Sequence, residues 1–155
     1  MWKICAESFA KQRNFDSQEL KQHAEAYRIE LVKNVATKQS SAEDTSVLLL
    51  DAAGLFKALL DDIQAGLPTG FIAQCFHDAF VRVLVEMAEL VRAVYGISIV
   101  ALGGGVFMNR YLTEQSLIQL QEHGFTVAMN KDLPPNDASI SYGQAVLGWQ
   151  AQNKE

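Results

Sequence analysis

The chain has 155 residues, 49% of them hydrophobic and 20% charged, with a formal net charge of −5. That length supports one core, and the acidic balance argues against non-specific binding to nucleic acid or anionic lipid, which needs a basic face. No apolar run approaches the roughly 18 residues of a membrane-span candidate.

In chain order, Trp2, Cys5 and Phe9 point to a short first helix that breaks near Asn14. Asp16 and Glu19 form a capping pair for a second helix, whose apolar positions Leu20, Ala24, Tyr27, Leu31 and Val35 keep to one face. Residues 37–46 are polar and serine-rich, a loop or linker. Residues 1–46 therefore read as a helical N-terminal segment and polar linker, and residues 47–155 as a separate segment. After the apolar run 47–50, a helix from about Ala52 is predicted to turn Leu55, Phe56, Leu59, Leu60 and Ile63 inward. Gly66 and Pro68 end it.

The longest helix is predicted over residues 69–95. Ile72, Cys75, Phe76, Ala79, Phe80, Val83, Leu84, Met87, Leu90, Val91 and Val94 give it a wide apolar stripe. Asp78, Arg82 and Glu86 alternate in sign on the other side and read as a solvated face. His77 neighbours Ala73, Phe80 and Val81 on the helix and reads as a hydrogen-bonded packing residue. Gly96 closes the helix, and residues 97–102 read as a buried strand. A helix over 106–122 ends at Gly124, a strand follows over 125–129, and a last helix covers 138–149, with Asn136 or Asp137 placed to cap it. His123 suits a helix C-terminus through the dipole alone. Cys5 and Cys75 are far apart, with no secretion signal ahead of them, and read as reduced thiols in a cytoplasmic protein.

Two loops carry the chemistry. Leu102-Gly103-Gly104-Gly105-Val106-Phe107-Met108-Asn109 and Leu133-Pro134-Pro135-Asn136-Asp137 each follow a predicted strand and precede a predicted helix. With 106–122 as a crossover helix the strands are parallel, and both loops fall at the carboxyl edge of one sheet, where open α/β folds bind ligands. Bare glycine amides at a helix N-terminus make an anion site. Asn109, one turn into that helix, is placed for a ribose or phosphate. The alternative is a tight turn that lets helix and strand pack closely. The loop is neither a dinucleotide fingerprint, which needs a glycine at Met108, nor a P-loop, since no Gly-Lys-Ser/Thr follows. Asp137 either binds a cation beside the phosphates or caps the next helix. Alone it cannot hold a transition metal.

Phe76-His77, the glycine loop through Val106-Phe107 and Asn109, and Pro134-Pro135-Asn136-Asp137 followed by Ile140, Gly143 and Gln144 resemble, in that order and spacing, the C-terminal part of the HypF carbamoyltransferases. The resemblance covers about residues 51–150 and implies that residues 47–155 are the C-terminal half of a carbamoyltransferase domain. It implies an α/β fold, helix-rich with a small parallel βαβ unit, similar to the second half of an actin/sugar-kinase/Hsp70-like domain related to tRNA threonylcarbamoyltransferases. It also implies that Gly103, Gly104, Gly105 and Asn109 contact ATP or carbamoyl adenylate, and that Asp137 joins two histidines of an upstream His-x-x-x-His motif on a divalent metal. Two departures stand out: Gly103 replaces a family serine, and Ala138 and Ser139 replace paired glycines. They keep side chains small but put nucleotide contacts near 138 and 139 in doubt.

The chain contains no His-x-x-x-His and no Cys-x-x-Cys. The resemblance thus implies a fragment or shortened relative of a hydrogenase maturation carbamoyltransferase. Such an enzyme uses carbamoyl phosphate and ATP to make carbamoyl adenylate, then carbamoylates the C-terminal cysteine of a HypE-like partner. The chain alone lacks most of the active site, so it is expected to be inactive and to bind neither nucleotide nor metal tightly. The competing expectation is a non-catalytic module that self-associates or binds a partner. Apolar surface left uncovered predicts a homo-oligomer, with no nucleic-acid or membrane partner.

Overall fold

Two short sheets and four helices make up the computed structural model, which describes residues 23–34, 47–130 and 132–153. The helix expected around Cys5, the first part of the helix expected after Asp16, and the loop 37–46 lie outside the described residues. The chain divides into two compact units, Met1–Met87 and Ala88–Glu155.

In the first unit, β1 (Glu30–Asn34) pairs antiparallel with β2 (Val47–Asp51), in the register Glu30↔Asp51 to Asn34↔Val47. This corrects the one-faced helix expected through Leu31; Val35 lies outside the described residues. Among the described residues of this segment, 23–26 are helical as expected, and the chain then turns extended. The reason is non-local: Leu31 and Val32 pair with Leu50 and Leu49, and tertiary pairing overrides a local helical period. The Asp51 carboxylate accepts the Ala53 N–H at 2.9 Å, where helix α1 (Ala53–Gln64) begins. Of its expected inward stripe, Leu55 is buried and Leu59 half-buried, whereas Phe56, Leu60 and Ile63 are each over half exposed. The buried row is Leu55, Leu59 and Asp62, a narrower face that ends on a carboxylate. Gly66 (φ 72°) closes α1 in a Schellman motif, with Gly66 N–H donating to Ile63 O and Leu67 N–H to Asp62 O.

Helix α2 (Thr69–Tyr95) has the boundaries predicted from sequence. Its Phe71, Cys75, Ala79 and Val83, one turn apart, meet Tyr27, Ile29 and Leu55 in the core. Phe80, Met87, Val91 and Val94, expected in the stripe, are exposed. Arg82 departs from a merely solvated role: its guanidinium donates to Ala24 O at 3.0 Å and Tyr27 O at 2.8 Å, gathering the carbonyls that end the 23–26 turn.

In the second unit, β3 (Ile99–Leu102) and β4 (Thr126–Met129) pair in parallel, Ile99↔Thr126 through Leu102↔Met129. Helix α3 (Arg110–Glu122) connects them, so the expected βαβ unit is present. The strand expected to be buried is not: Leu102 is covered, but Ile99 is 66% exposed. A sheet of two strands has too little covering structure within this unit. Gly124 (φ 79°) ends α3 in a second Schellman motif. There the Arg92 guanidinium lies 4.1 Å from the Phe125 ring centroid and donates to His123 O at 2.8 Å. Helix α4 (Ile140–Gln152) buries none of its residues. Among the described residues no helix is long and apolar enough to cross a membrane.

Candidate functional site

Leu102 and Met129 are the last pair of the parallel ladder, so the two motif loops leave the sheet side by side. Gly104 adopts φ 102°, a backbone that side-chain-bearing residues rarely take, and donates its N–H to Pro135 O. One of the three glycine amides expected to face a ligand is therefore spent on holding the second loop. A 3₁₀ turn, Gly105–Met108, follows the glycines, and α3 starts only at Arg110. The sequence reading had joined these into one helix. Asn109 explains the break. Its backbone is extended (φ −71°, ψ 108°) and its Oδ1 accepts the Leu112 N–H at 3.1 Å, so it is the N-cap of α3 rather than a residue one turn inside it. Thr113, which the sequence did not single out, secures this corner by donating Oγ1–H to Phe107 O at 2.7 Å and Asn109 O at 3.0 Å.

The packing alternative for the glycines can be tested by placing a side chain on each. A Cβ on Gly103 or Gly104 would meet no atom within 4 Å, and one on Gly105 would make ordinary contact with Asn136 Cβ at 3.9 Å. Gly104 is needed for its positive φ. Gly103 is needed neither for a positive φ nor for protein packing, and the space above it is open.

In the second loop the cap role falls to Asn136, not Asp137. Asn136 Oδ1 accepts the Ala138 N–H at 3.2 Å and starts a 3₁₀ turn, Asp137–Ser139, ahead of α4. Asn136 Nδ2 points across to the first loop, 3.0 Å from Met108 Sδ. Ser139 ties the turn back through Oγ–H to Pro134 O. The Asp137 carboxylate is exposed and makes no hydrogen bond or ion pair with the described residues. Among the described residues no group of three His, Cys, Asp or Glu side chains could hold a metal. The donor set present does not fit a resident metal by itself.

The histidines fall elsewhere. His77 Nδ1 lies 2.6 Å from Ala73 O, a packing residue as expected. His123 pairs with Glu89 at 2.7 Å. His23 Nε2 and the Tyr27 hydroxyl each reach the buried Asp62 carboxylate at 2.6 Å. Burial, then the Asp62 hydrogen bond, pushes the Tyr27 hydroxyl well above its ordinary value. Burial, with the charges of Asp78 and Asp62 adding to it, pushes the Cys75 thiol up to about 12. No local signal in the sequence marks this cluster, because its members come from separate elements. A shallow cavity of about 260 Å³ nearby is lined by Glu25, Arg28, Arg82 and Glu86 among others and contains none of the motif residues.

Residues 8–144 match the family described as "Carbamoyltransferase, Kae1-like Domain, second subdomain". The chain is 35% identical over 105 residues to Carbamoyltransferase HypF of Synechocystis, covering 68% of this chain and 13% of that protein. A Carbamoyltransferase HypF homolog of Cupriavidus necator is 35% identical over 100 residues, covering 63% of this chain and 25% of that one. The chain thus spans a minor part of these relatives' length. A crystal structure of full-length HypF in the phosphate- and nucleotide-bound form superimposes with a TM-score of 0.67 at 31% identity, over 90% of this chain and 18% of that one. The structure of T. kodakarensis HypF gives 0.55 at 26% identity, over 84% of this chain and 16% of that one.

Proposed function

The chain belongs to the HypF carbamoyltransferase family, matching the second subdomain of the Kae1-like domain, and from that membership we propose that its paired loops are one wall of a nucleotide site for carbamoyl transfer. In this reading Gly103, Gly105 and the backbone set by Gly104 receive the phosphates of ATP or carbamoyl adenylate, and Asn109 lies at the edge of the same cradle. Asp137 supplies one oxygen ligand to a divalent cation whose other ligands come from outside this chain. The assembled enzyme uses carbamoyl phosphate and ATP and passes the carbamoyl group to the C-terminal cysteine of a HypE-like acceptor in hydrogenase maturation.

The observation that carries the reading is the placing of both motif loops at the carboxyl end of the β3–β4 ladder, tied to each other by Gly104 N–H to Pro135 O. One wall supplies only part of the contacts, so affinity for ATP is expected to be weak, with negligible metal uptake. Gly103→Val adds bulk to the cradle at a position where a Cβ meets no atom within 4 Å. Calorimetry with ATP should show the weak binding abolished while the melting temperature holds. A sub-micromolar dissociation constant in the parent, or unchanged binding in the valine variant, would sink the half-site reading.

A second reading is a non-catalytic module that self-associates. It is favoured by α4, whose Ile140, Tyr142, Leu147 and Trp149 are all more than half exposed.

A further inference from the structure

Two bonds run between the glycine loop and the loop that carries Asp137. One is backbone to backbone, Gly104 N–H to Pro135 O; the other is side chain to side chain, Asn136 Nδ2–H to Met108 Sδ at 3.0 Å. They attach on either side of Gly105, where an added Cβ would come within 3.9 Å of Asn136 Cβ. A single bond would let one loop pivot on the other. Two separated bonds fix both spacing and orientation. Asn136 is also fixed on its own side, because Oδ1 holds the Ala138 N–H. Its carboxamide therefore uses one end to shape its turn and the other to grip its neighbour. Met108 is 61% exposed, so burial does not account for where its thioether sits.

We propose that Asn136 and Met108 form a clasp that sets the distance between the glycine cradle and the Asp137 carboxylate, making Asn136 a positioning residue for the nucleotide. The role toward nucleotide rests on the function proposed above; the clasp itself does not. Asp137 follows Asn136 directly, so whatever fixes Asn136 against the glycine loop also fixes the carboxylate against the phosphates that loop would hold.

Three variants separate the clasp from the cap. Asn136→Asp keeps an acceptor for Ala138 and removes the donor to Met108. Met108→Leu keeps volume and removes the acceptor, and Met108→Gln offers a stronger acceptor in its place. The exchange rate of the Gly104 amide proton, followed by NMR in the full chain, reads the loop-to-loop bond without any ligand. Asn136→Asp and Met108→Leu should each speed exchange roughly three- to tenfold, the range one hydrogen bond is worth in an equilibrium constant. The double variant should be no faster than either single one, because both remove the same bond. Met108→Gln should restore the parent rate. ATP titration should follow the same order for the Met108 variants; Asn136→Asp is left out there because its charge repels phosphate directly. Additive single effects on Gly104, or a parent-like rate in Met108→Leu, overturn the clasp. Coupled exchange effects in a chain that takes up no ATP uphold the clasp and overturn only the nucleotide reading.

Discussion

Asn136 and Asp137 are adjacent, yet the fold gives them separate tasks. The 3₁₀ turn Asp137–Ser139 that leads into α4 is capped by Asn136, so Asn136→Ala is expected to cost about 1 kcal/mol in a denaturant melt. Asp137→Ala should stay within about 0.5 kcal/mol of the parent, as for a surface side chain with no stabilising role. The opposite order would restore the cap reading of Asp137. In a complete carbamoyltransferase, Asp137→Asn should lower metal content and carbamoyl transfer together, and full retention of both would remove Asp137 from the ligand set. Cys75 makes a second prediction at this scale. Its folded thiol titrates near 12 against an ordinary value of 9.0, so it stays protonated where the unfolded thiol ionises. The stability it contributes is full below pH 9 and is lost as pH rises toward 12, and Tyr27 acts in the same direction above 10.0. Each group can add up to about 1.4 kcal/mol per pH unit across its window. Urea melts at pH 8, 9.5 and 10.5 should show the fall, and Cys75→Ala should flatten part of it. A parent and variant with parallel profiles would show that the buried thiol does not govern alkaline stability.

At the level of elements, Arg82 joins α2 to the turn at residues 23–26 through two carbonyls, although it stands on an exposed charged row. Arg82→Ala should destabilise the first unit by about 1 kcal/mol, the lower end for charged hydrogen bonds because the site is open to water. Hydrogen exchange at Ile29 and Glu30 should accelerate with it; unchanged protection there would reduce Arg82 to a solvated charge. What the sequence made legible follows the same division between local and distant causes. Gly66, Pro68 and Gly96 mark α2 so clearly that its limits could be read directly, and the glycine and proline loops placed β3 and β4 in parallel. Leu31 was misread as helical because its spacing from Ala24 and Tyr27 fits a helix, while its true partner, Leu50, lies well down the chain. Asn109 was placed inside a helix because nothing in the run Val106-Phe107-Met108 announces a 3₁₀ turn. The Asp62 cluster was invisible for the same reason as β1: His23 and Tyr27 reach it from another element.

For the whole molecule, the exposed apolar side chains of α4 argue that the chain does not stay alone at high concentration. Sedimentation at micromolar concentration should find dimers or larger species, and Leu147→Glu with Trp149→Glu should shift them toward monomer. A 17.1 kDa species alone in the parent would exclude self-association. The parallel pairing of β3 with β4 has a consequence in time. Residues of α2 find their helical partners within a turn, whereas Ile99 must wait for Thr126 to be brought back across the whole of α3. Pairings between distant residues close slowly, and parallel ones more slowly than hairpins. The two loops acquire their spacing only when that ladder is complete, so the cradle should be among the last features to mature during refolding. Gly104 amide protection lagging behind the far-ultraviolet dichroism of the helices would be its kinetic signature, and simultaneous appearance would contradict it. Substitutions in the turns of α3 beyond Thr113 would then lower the yield of competent molecules while leaving the affinity of each finished one unchanged.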